Sequence, residues 1–144
     1  MKQATPVRIR TALKDDVSAC AALFAAGQQE IEPRVPPWRA SEFLEQVASE
    51  ELLVAGAGAQ VAGFLSFWRR DAFVHFLHVA KAWRGRGVGC ALLEAARNEV
   101  SRPLELKCLA TNTAALAFYS RLGWQITDRC HHPPAPYVRL RQRE

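Results

Sequence analysis

Hydrophobic and polar residues change period several times along the chain, and each change marks an element. Val7-Arg8-Ile9-Arg10 alternates apolar and basic positions and predicts a half-exposed strand. Asp15 or Asp16 then offers a helix N-cap, and Val17, Cys20, Ala21 and Phe24 recur at helical spacing, which predicts a helix closing at Gly27. From Gln28 to Pro37 the periodicity breaks, and three prolines there require a loop or an irregular start to the next helix. Ser41-Glu42 opens that helix, with Phe43, Leu44 and Val47 apolar. Leu52 to Ala55 and Val61 to Phe67 flank the glycine-rich stretch Gly56-Ala57-Gly58-Ala59-Gln60 and predict a hairpin.

Beyond a turn at Arg69-Arg70-Asp71, the compact apolar run Phe73-Val74-His75-Phe76-Leu77-His78-Val79 reads as a strand. Val88, Ala91, Leu92, Ala95 and Ala96, set against Glu94, Arg97 and Asn98, predict an amphipathic helix. Leu104, Leu106 and Cys108 alternate with Glu105 and Lys107 in a strand from Pro103 to Leu109. Thr111 to Gly123 is a further helix, capped by Thr111 or Asn112 at its start and by Gly123 at a left-handed end. Trp124 to Thr127 and Tyr137 to Arg141 read as the last strands, separated by a proline-rich loop from His131 to Pro136. Helices and strands alternate without an internal repeat, which predicts an α/β structure, a mixed sheet covered by helices.

Between the strand ending at Val79 and the helix starting at Val88 stands Arg84-Gly85-Arg86-Gly87-Val88-Gly89, with glycine at every second position. Such spacing permits positive φ angles and close approach of a ligand to the main chain. Successive N–H groups can then share one concavity with the unpaired N–H groups at the helix start, a site for a phosphate or diphosphate. A P-loop would need a lysine and a hydroxyl that are missing here, and a dinucleotide fingerprint would need its third glycine elsewhere. A turn using glycine for tightness alone would need one and not three.

Arg84-x-x-Gly87-x-Gly89 after a strand ending Leu77-x-Val79 resembles the acetyl-coenzyme A signature of the GNAT superfamily of N-acetyltransferases. Asn112-x-x-Ala115-x-x-Phe118-Tyr119-x-x-Leu122-Gly123-Trp124 resembles that family's second recurring element, about 25 residues further on. The resemblance implies a single N-acetyltransferase domain over residues 1–144. Its fold would be a mixed, mostly antiparallel sheet of about six or seven strands, splayed at the cofactor site and covered by about four helices. It also implies acetyl-CoA as acetyl donor. Leu77, His78 and Val79 would bind it on the strand, Arg84, Gly85, Arg86, Gly87, Val88 and Gly89 in the turn, and Asn112, Ala115 and Tyr119 on the later helix. The acceptor would be a primary amine of a small molecule or peptide. A non-catalytic module that binds an acyl-CoA is the alternative.

Acetyl transfer to an amine requires a donor aimed at the developing oxyanion, a proton for the departing thiolate and a neutral amine. By resemblance, the Val79 amide supplies the first. Tyr119 supplies the second, because a phenol with a reference pKa of about 10 is protonated at neutral pH; a buried aromatic with one hydrogen bond is the plainer reading. Phe118, about 100° away on the helix, is expected to be core. Presenting a lysine-like amine neutral at pH 7 costs on the order of 4 to 5 kcal/mol, so a base is useful. Many family members place a glutamate four residues before the valine of L-x-V; here His75 stands there, sharing a strand face with Leu77 and Val79 and opposite His78. His75 is the candidate base, against burial as a core histidine. Glu30 and Glu32, in the loop that by resemblance walls the acceptor pocket, are candidates to attract a cationic amine, and Trp38 to line it. Each has a plainer reading as solvated surface or, for Trp38, as an anchor for the loop.

The chain has 144 residues, enough for one domain with a sizeable core, and 49% of them are hydrophobic. No apolar run reaches the roughly 20 residues of a membrane span, and Met1 to Pro6 lacks the apolar core of a signal peptide. Cys20, Cys90, Cys108 and Cys130 are scattered, three of them in apolar patterns, which fits a reducing cytoplasm without structural disulfides. The net charge of +5 comes from dispersed arginines, and a polyanionic cofactor suits it as well as nucleic acid does. The expected partners are coenzyme A and an amine, with no nucleic acid and no membrane. Cys130-His131-His132 lacks further ligands at helical spacing, so no metal is expected. The C-terminal strand is a candidate to pair across a two-fold axis in a homodimer.

Overall fold

A computed structural model describes residues 6–132 and 135–144; Met1 to Thr5 and the prolines 133 and 134 of the expected loop lie outside them. In β2 (Glu51–Ala57) and β3 (Gln60–Trp68) nearly every side chain is buried, because helices cover both faces of the sheet at its centre. The two-residue tip Gly58-Ala59 closes the expected hairpin, with Gly58 at φ +61°. β1 (Arg8–Thr11) pairs with β2, and β4 (Phe73–Val79) with β3, all antiparallel. β5 (Glu105–Leu109) is parallel to β4, while β6 (Gln125–Cys130) and β7 (Tyr137–Arg141) complete a seven-stranded sheet of order β1-β2-β3-β4-β5-β7-β6.

Four helices cover it: α1 (Val17–Ile31), α2 (Ala40–Gln46), α3 (Val88–Asn98) and α4 (Thr113–Arg121). On one face, Cys20, Ala21 and Phe24 of α1 and Phe43 of α2 pack on Val54 and Phe64. On the other, Leu92, Leu93 and Ala96 of α3 and Tyr119 of α4 pack on Leu53, Ala55, Leu65 and Phe67. Each large apolar side chain buried in these layers contributes roughly 1.5–3 kcal/mol. Among the described residues no helix is long and apolar enough to cross a membrane.

The structure corrects several local expectations. α1 runs through Gly27 to Ile31, because Gly27 faces the sheet and not the end of the helix. A Cβ there would lie 2.1 Å from Nδ1 of His78, so this glycine makes room for a ring. Asp16 occupies the N-cap position of α1 but spends its carboxylate elsewhere, accepting from the Leu13 amide at 2.7 Å and from Arg10 at 2.6 and 3.1 Å. β7 is not available for pairing across a two-fold axis: it is inserted between β5 and β6, with both its edges bonded. Sequence order had placed it last; in space the last strand is β6.

Candidate active site

β4 is bonded to β3 along its length, but to β5 only through the pairs Phe73 with Glu105 and Val74 with Leu106. Beyond Val74 the two strands part. Ala80 donates to the Ala62 carbonyl at 2.7 Å, which makes Gly63 and Val79 a pair without mutual hydrogen bonds. By the alternation of an antiparallel ladder, the main-chain groups of Leu77 and Val79 therefore point away from β3, into the gap. Sheet and missing neighbour together leave a row of fixed main-chain groups that no strand pairs, of which the Val79 carbonyl accepts from Arg84.

At the far end of β4 the chain enters the glycine turn. Gly85 and Gly87 adopt φ of +75° and +81°, and a Cβ on either would meet nothing within 4 Å, so conformation and not space requires glycine at both. At Gly89 a Cβ would stand 3.2 Å from Cζ of Phe118, a tight contact that the ring would have to relieve by a few tenths of an ångström. Gly87 is the N-cap residue of α3 and makes no side-chain cap, so the positive end of that helix is open to an anion. A cavity of about 540 Å³ lies over this turn, lined by Leu77, Val79, Arg84, Gly87, Gly89 and Phe118 among others. The open amides, the left-handed glycines and the space fit a diphosphate and a thioester arm. Val88 puts its side chain in the core beneath, and the Arg86 guanidinium lies over the Trp83 ring at 5.1 Å.

A second cleft, of about 200 Å³, opens where β4 and β5 part. Ile31, Leu77, His78, Asn112, Ala115 and Tyr119 line both spaces, so Tyr119 stands where they meet. Asn112 positions α4 by accepting from the Ala115 amide at 3.2 Å, and Gly123 ends the helix at φ +85°. Burial, and then the Cys108 sulfur, pushes the Tyr119 phenol well above its ordinary pKa, so it stays protonated at neutral pH. Phe118 is not simply core: it forms a wall of the larger cavity, with its ring edge-on to Tyr119.

The histidines depart from the sequence reading. Pairing between β3 and β4 slips between Ser66 and Phe67, leaving His75 as an extra residue with no partner. That bulge reverses the alternation. Val74, not His75, shares the α3 face with Leu77 and Val79. His75 turns to the other face, stacked on Phe76 at 3.8 Å and Trp68 at 5.0 Å between ring centres. Its Nδ1 lies 2.7 Å from Oε2 of Glu50, a carboxylate that sequence reasoning missed and that sits just before β2. His75 lines the smaller cleft, together with Tyr119. His78 is buried between Gly27, Phe24 and Phe64, and desolvation, with Arg84 adding, pushes its pKa down to about 4. It is a neutral wall of both spaces.

Glu30 lies on α1 at the larger cavity, where its two oxygens meet Arg84 at 2.9 and 3.1 Å. The Arg84 guanidinium holds its carboxyl below the usual range, and the pair ties α1 to the glycine turn across 54 positions of sequence. Arg84 also donates to the Val79 carbonyl at 3.2 Å. Glu32 is exposed and lines neither space. Trp38 anchors its loop, edge-on to Phe24 at 5.2 Å and beneath the Arg34 guanidinium at 4.2 Å, and lines neither space either.

Comparison with known proteins agrees with this geometry. No curated protein matches the sequence. Among solved structures, a GCN5-related N-acetyltransferase from Rhodopseudomonas palustris is 18% identical with a TM-score of 0.77, the match covering 100% of this chain and 99% of that one. A ribosomal-protein-alanine N-acetyltransferase from Brucella melitensis is 20% identical, TM-score 0.69, over 94% and 98%. The yncA protein from Salmonella typhimurium, solved with its cofactor acetyl-CoA, is 18% identical, TM-score 0.68, over 95% and 93%. At such identities these likenesses establish the fold. The acetyltransferase (GNAT) domain profile matches residues 48–126, more than half of the chain, and with the splayed sheet and glycine turn it identifies the chain as a member of the GNAT acetyltransferase family.

Proposed function

We propose that the protein is an acetyl-CoA-dependent N-acetyltransferase, a single domain that moves an acetyl group to a primary amine of a small molecule or peptide by direct transfer in a ternary complex. The observation that carries this reading is the position of Tyr119 at the junction of the two spaces, one over the glycine turn and one between the parted strands. Acetyl-CoA supplies the acetyl group as a thioester, and the neighbour solved with it supports the same donor here. In this reading the amides from Arg84 to Gly89 and the start of α3 hold the diphosphate, and Leu77 and Val79 hold the pantetheine arm through their main chain.

The Val79 N–H is fixed by the sheet, so it stabilises charge on a carbonyl oxygen without reorganising. Tyr119 lines the cavity and its Oη has no hydrogen-bond partner among the described residues, which leaves its proton available to the departing thiolate. His75 takes the proton of the amine at Nε2. Direct transfer is favoured over an acyl-enzyme at Cys108, the thiol beside the smaller cleft, because burial pushes it up to about 11 and makes it a poor nucleophile. All four cysteines are free thiols, which suits a reducing cytoplasm.

Thermal shift with acetyl-CoA, followed by thiol release across amino acids, polyamines, aminoglycosides and peptides, tests the proposal. Stabilisation by acetyl-CoA and release with at least one class of amine is expected. Stabilisation without release on any amine would instead mark a non-catalytic acyl-CoA-binding module, and absence of stabilisation would overturn both readings.

A further inference from the structure

Glu50 carries one of two buried side-chain polar atoms that lack a hydrogen-bond partner among the described residues, the other being Nη1 of Arg34. Its carboxylate has no solvent exposure, Oε1 has no hydrogen-bond partner among the described residues, and Oε2 meets only His75 Nδ1, at 2.7 Å. Taking a carboxylate out of water costs several kcal/mol unless charge and hydrogen bonds offset it. Nothing in the packing of β2 requires an acid here, since Leu52, Leu53 and Val54 continue the strand as apolar residues.

We propose that Glu50 is the positioning residue of the amine-acetylation reaction, fixing the tautomer of His75 and stabilising the imidazolium that forms when His75 takes the proton. This rests on the reading of His75 as the base. A carboxylate only accepts hydrogen bonds, so a proton must stand on Nδ1 for the contact at 2.7 Å to be favourable. The neutral ring then has its lone pair on Nε2, which has no partner among the described residues, on a side chain that is part-exposed and lines the smaller cleft, where an amine or water can approach. Stacking between Trp68 and Phe76 holds the ring plane. When Nε2 gains the amine's proton, the ring becomes a cation bonded to a buried anion. The pair is thus most favourable in the state that follows proton transfer, the condition for a preorganised base.

The tautomer can be read without turnover by nitrogen NMR of the uniformly 15N-labelled full chain, which has four histidines. The expected result is a wild-type His75 protonated at Nδ1 with a pyridine-like Nε2, lost or mixed in Glu50→Gln and Glu50→Ala, and a kcat at least tenfold lower in Glu50→Gln with an unchanged KM for acetyl-CoA. Glu50→Gln keeps the side-chain shape, and an unaltered melting temperature separates positioning from unfolding. A His75 protonated at Nε2 in the wild type, or a tautomer indifferent to both substitutions, overturns the role of Glu50 and leaves His75 standing as base. Full turnover in His75→Ala removes the base itself, and with it the catalytic purpose of Glu50, even if the tautomer follows Glu50.

Discussion

Replacing Gly27 by alanine sets a helix preference against a packing constraint. Within α1 the exchange should stabilise by about 0.5–1 kcal/mol, because glycine loses more freedom on folding than alanine does. Against this, the new methyl would lie 2.1 Å from Nδ1 and 2.6 Å from Cε1 of His78. Ordinary contact between such atoms is about 3.5 Å, so the ring must move by more than about 1 Å. It has little room, with its centre 5.8 Å from that of Phe24 and 5.6 Å from that of Phe64. Forcing a methyl into such a core typically costs about 1–3 kcal/mol, so with the helix gain subtracted the net loss is about 0–2.5 kcal/mol, and the 2.1 Å approach puts it toward the upper end. Urea unfolding should show a lower midpoint at an unchanged slope. The decisive arm is the double mutant. Once His78→Ala has removed the obstacle, Gly27→Ala should stabilise by its helix preference, so the same substitution changes sign between backgrounds. A stabilising Gly27→Ala in the wild-type background would refute the packing account of this glycine. Because His78 lines both spaces, thiol release should fall in the single mutant even where it is fully folded.

Tyr119→Phe should keep acetyl-CoA affinity and lower turnover at least tenfold, measured by calorimetry and thiol release; unchanged turnover would remove Tyr119 as the acid. Gly87→Ala forces alanine to φ +81°, at about 1–2 kcal/mol, and should weaken acetyl-CoA binding roughly tenfold by calorimetry although no atom obstructs the methyl. Stability should rise with pH between about 4 and 6.5: burial depresses His78 from 6.5 to about 4, so in that window the unfolded chain binds a proton that the native state excludes. The stabilisation, about 3 kcal/mol, is complete above 6.5 and lost as pH falls through 4, and His78→Gln should flatten urea midpoints across that window. Asp16, held low first by Arg10 and then by the Leu13 amide, acts in the same direction at lower pH, so Asp16→Asn should flatten the acid end of the curve.

Where a rule is local, the sequence shows it. The hairpin over Gly58-Ala59, the extent of β4, the left-handed glycines 85 and 87 and the two caps of α4 each depend on a few neighbouring residues, and all stand as their patterns imply. What fails is non-local. Gly27 looks like a helix stop until the ring of His78, on another element, is seen against it. Glu30 looks like a free carboxylate until the fold brings Arg84 to it. Phe118 is an apolar helix residue in either setting, and only the cavity beside Gly89 distinguishes wall from core. Glu50 carries no signal at all in a polar run of sequence, since its meaning comes from burial.

β4 gathers these departures, and its two edges explain why. Along β3 it is held closely: a Cβ at Gly63 would come within 2.9 Å of the His78 carbonyl and within 3.4 Å of Val88 and Leu92 of α3, so strand and helix meet there with no room for a side chain. Along β5 it is released after Val74. A strand fixed on one edge and free on the other presents unpaired main-chain groups without becoming mobile, which an isolated edge strand would not achieve. The bulge at His75 falls at the start of this transition. An extra residue there turns one imidazole from the α3 face to the α1 face while the side chains of Leu77 and Val79 stay on the α3 face. One strand thereby carries the main-chain groups proposed for the thioester along its free edge and, at the mouth of the same gap, an imidazole that strict alternation of His75, Leu77 and Val79 would have left on the α3 face.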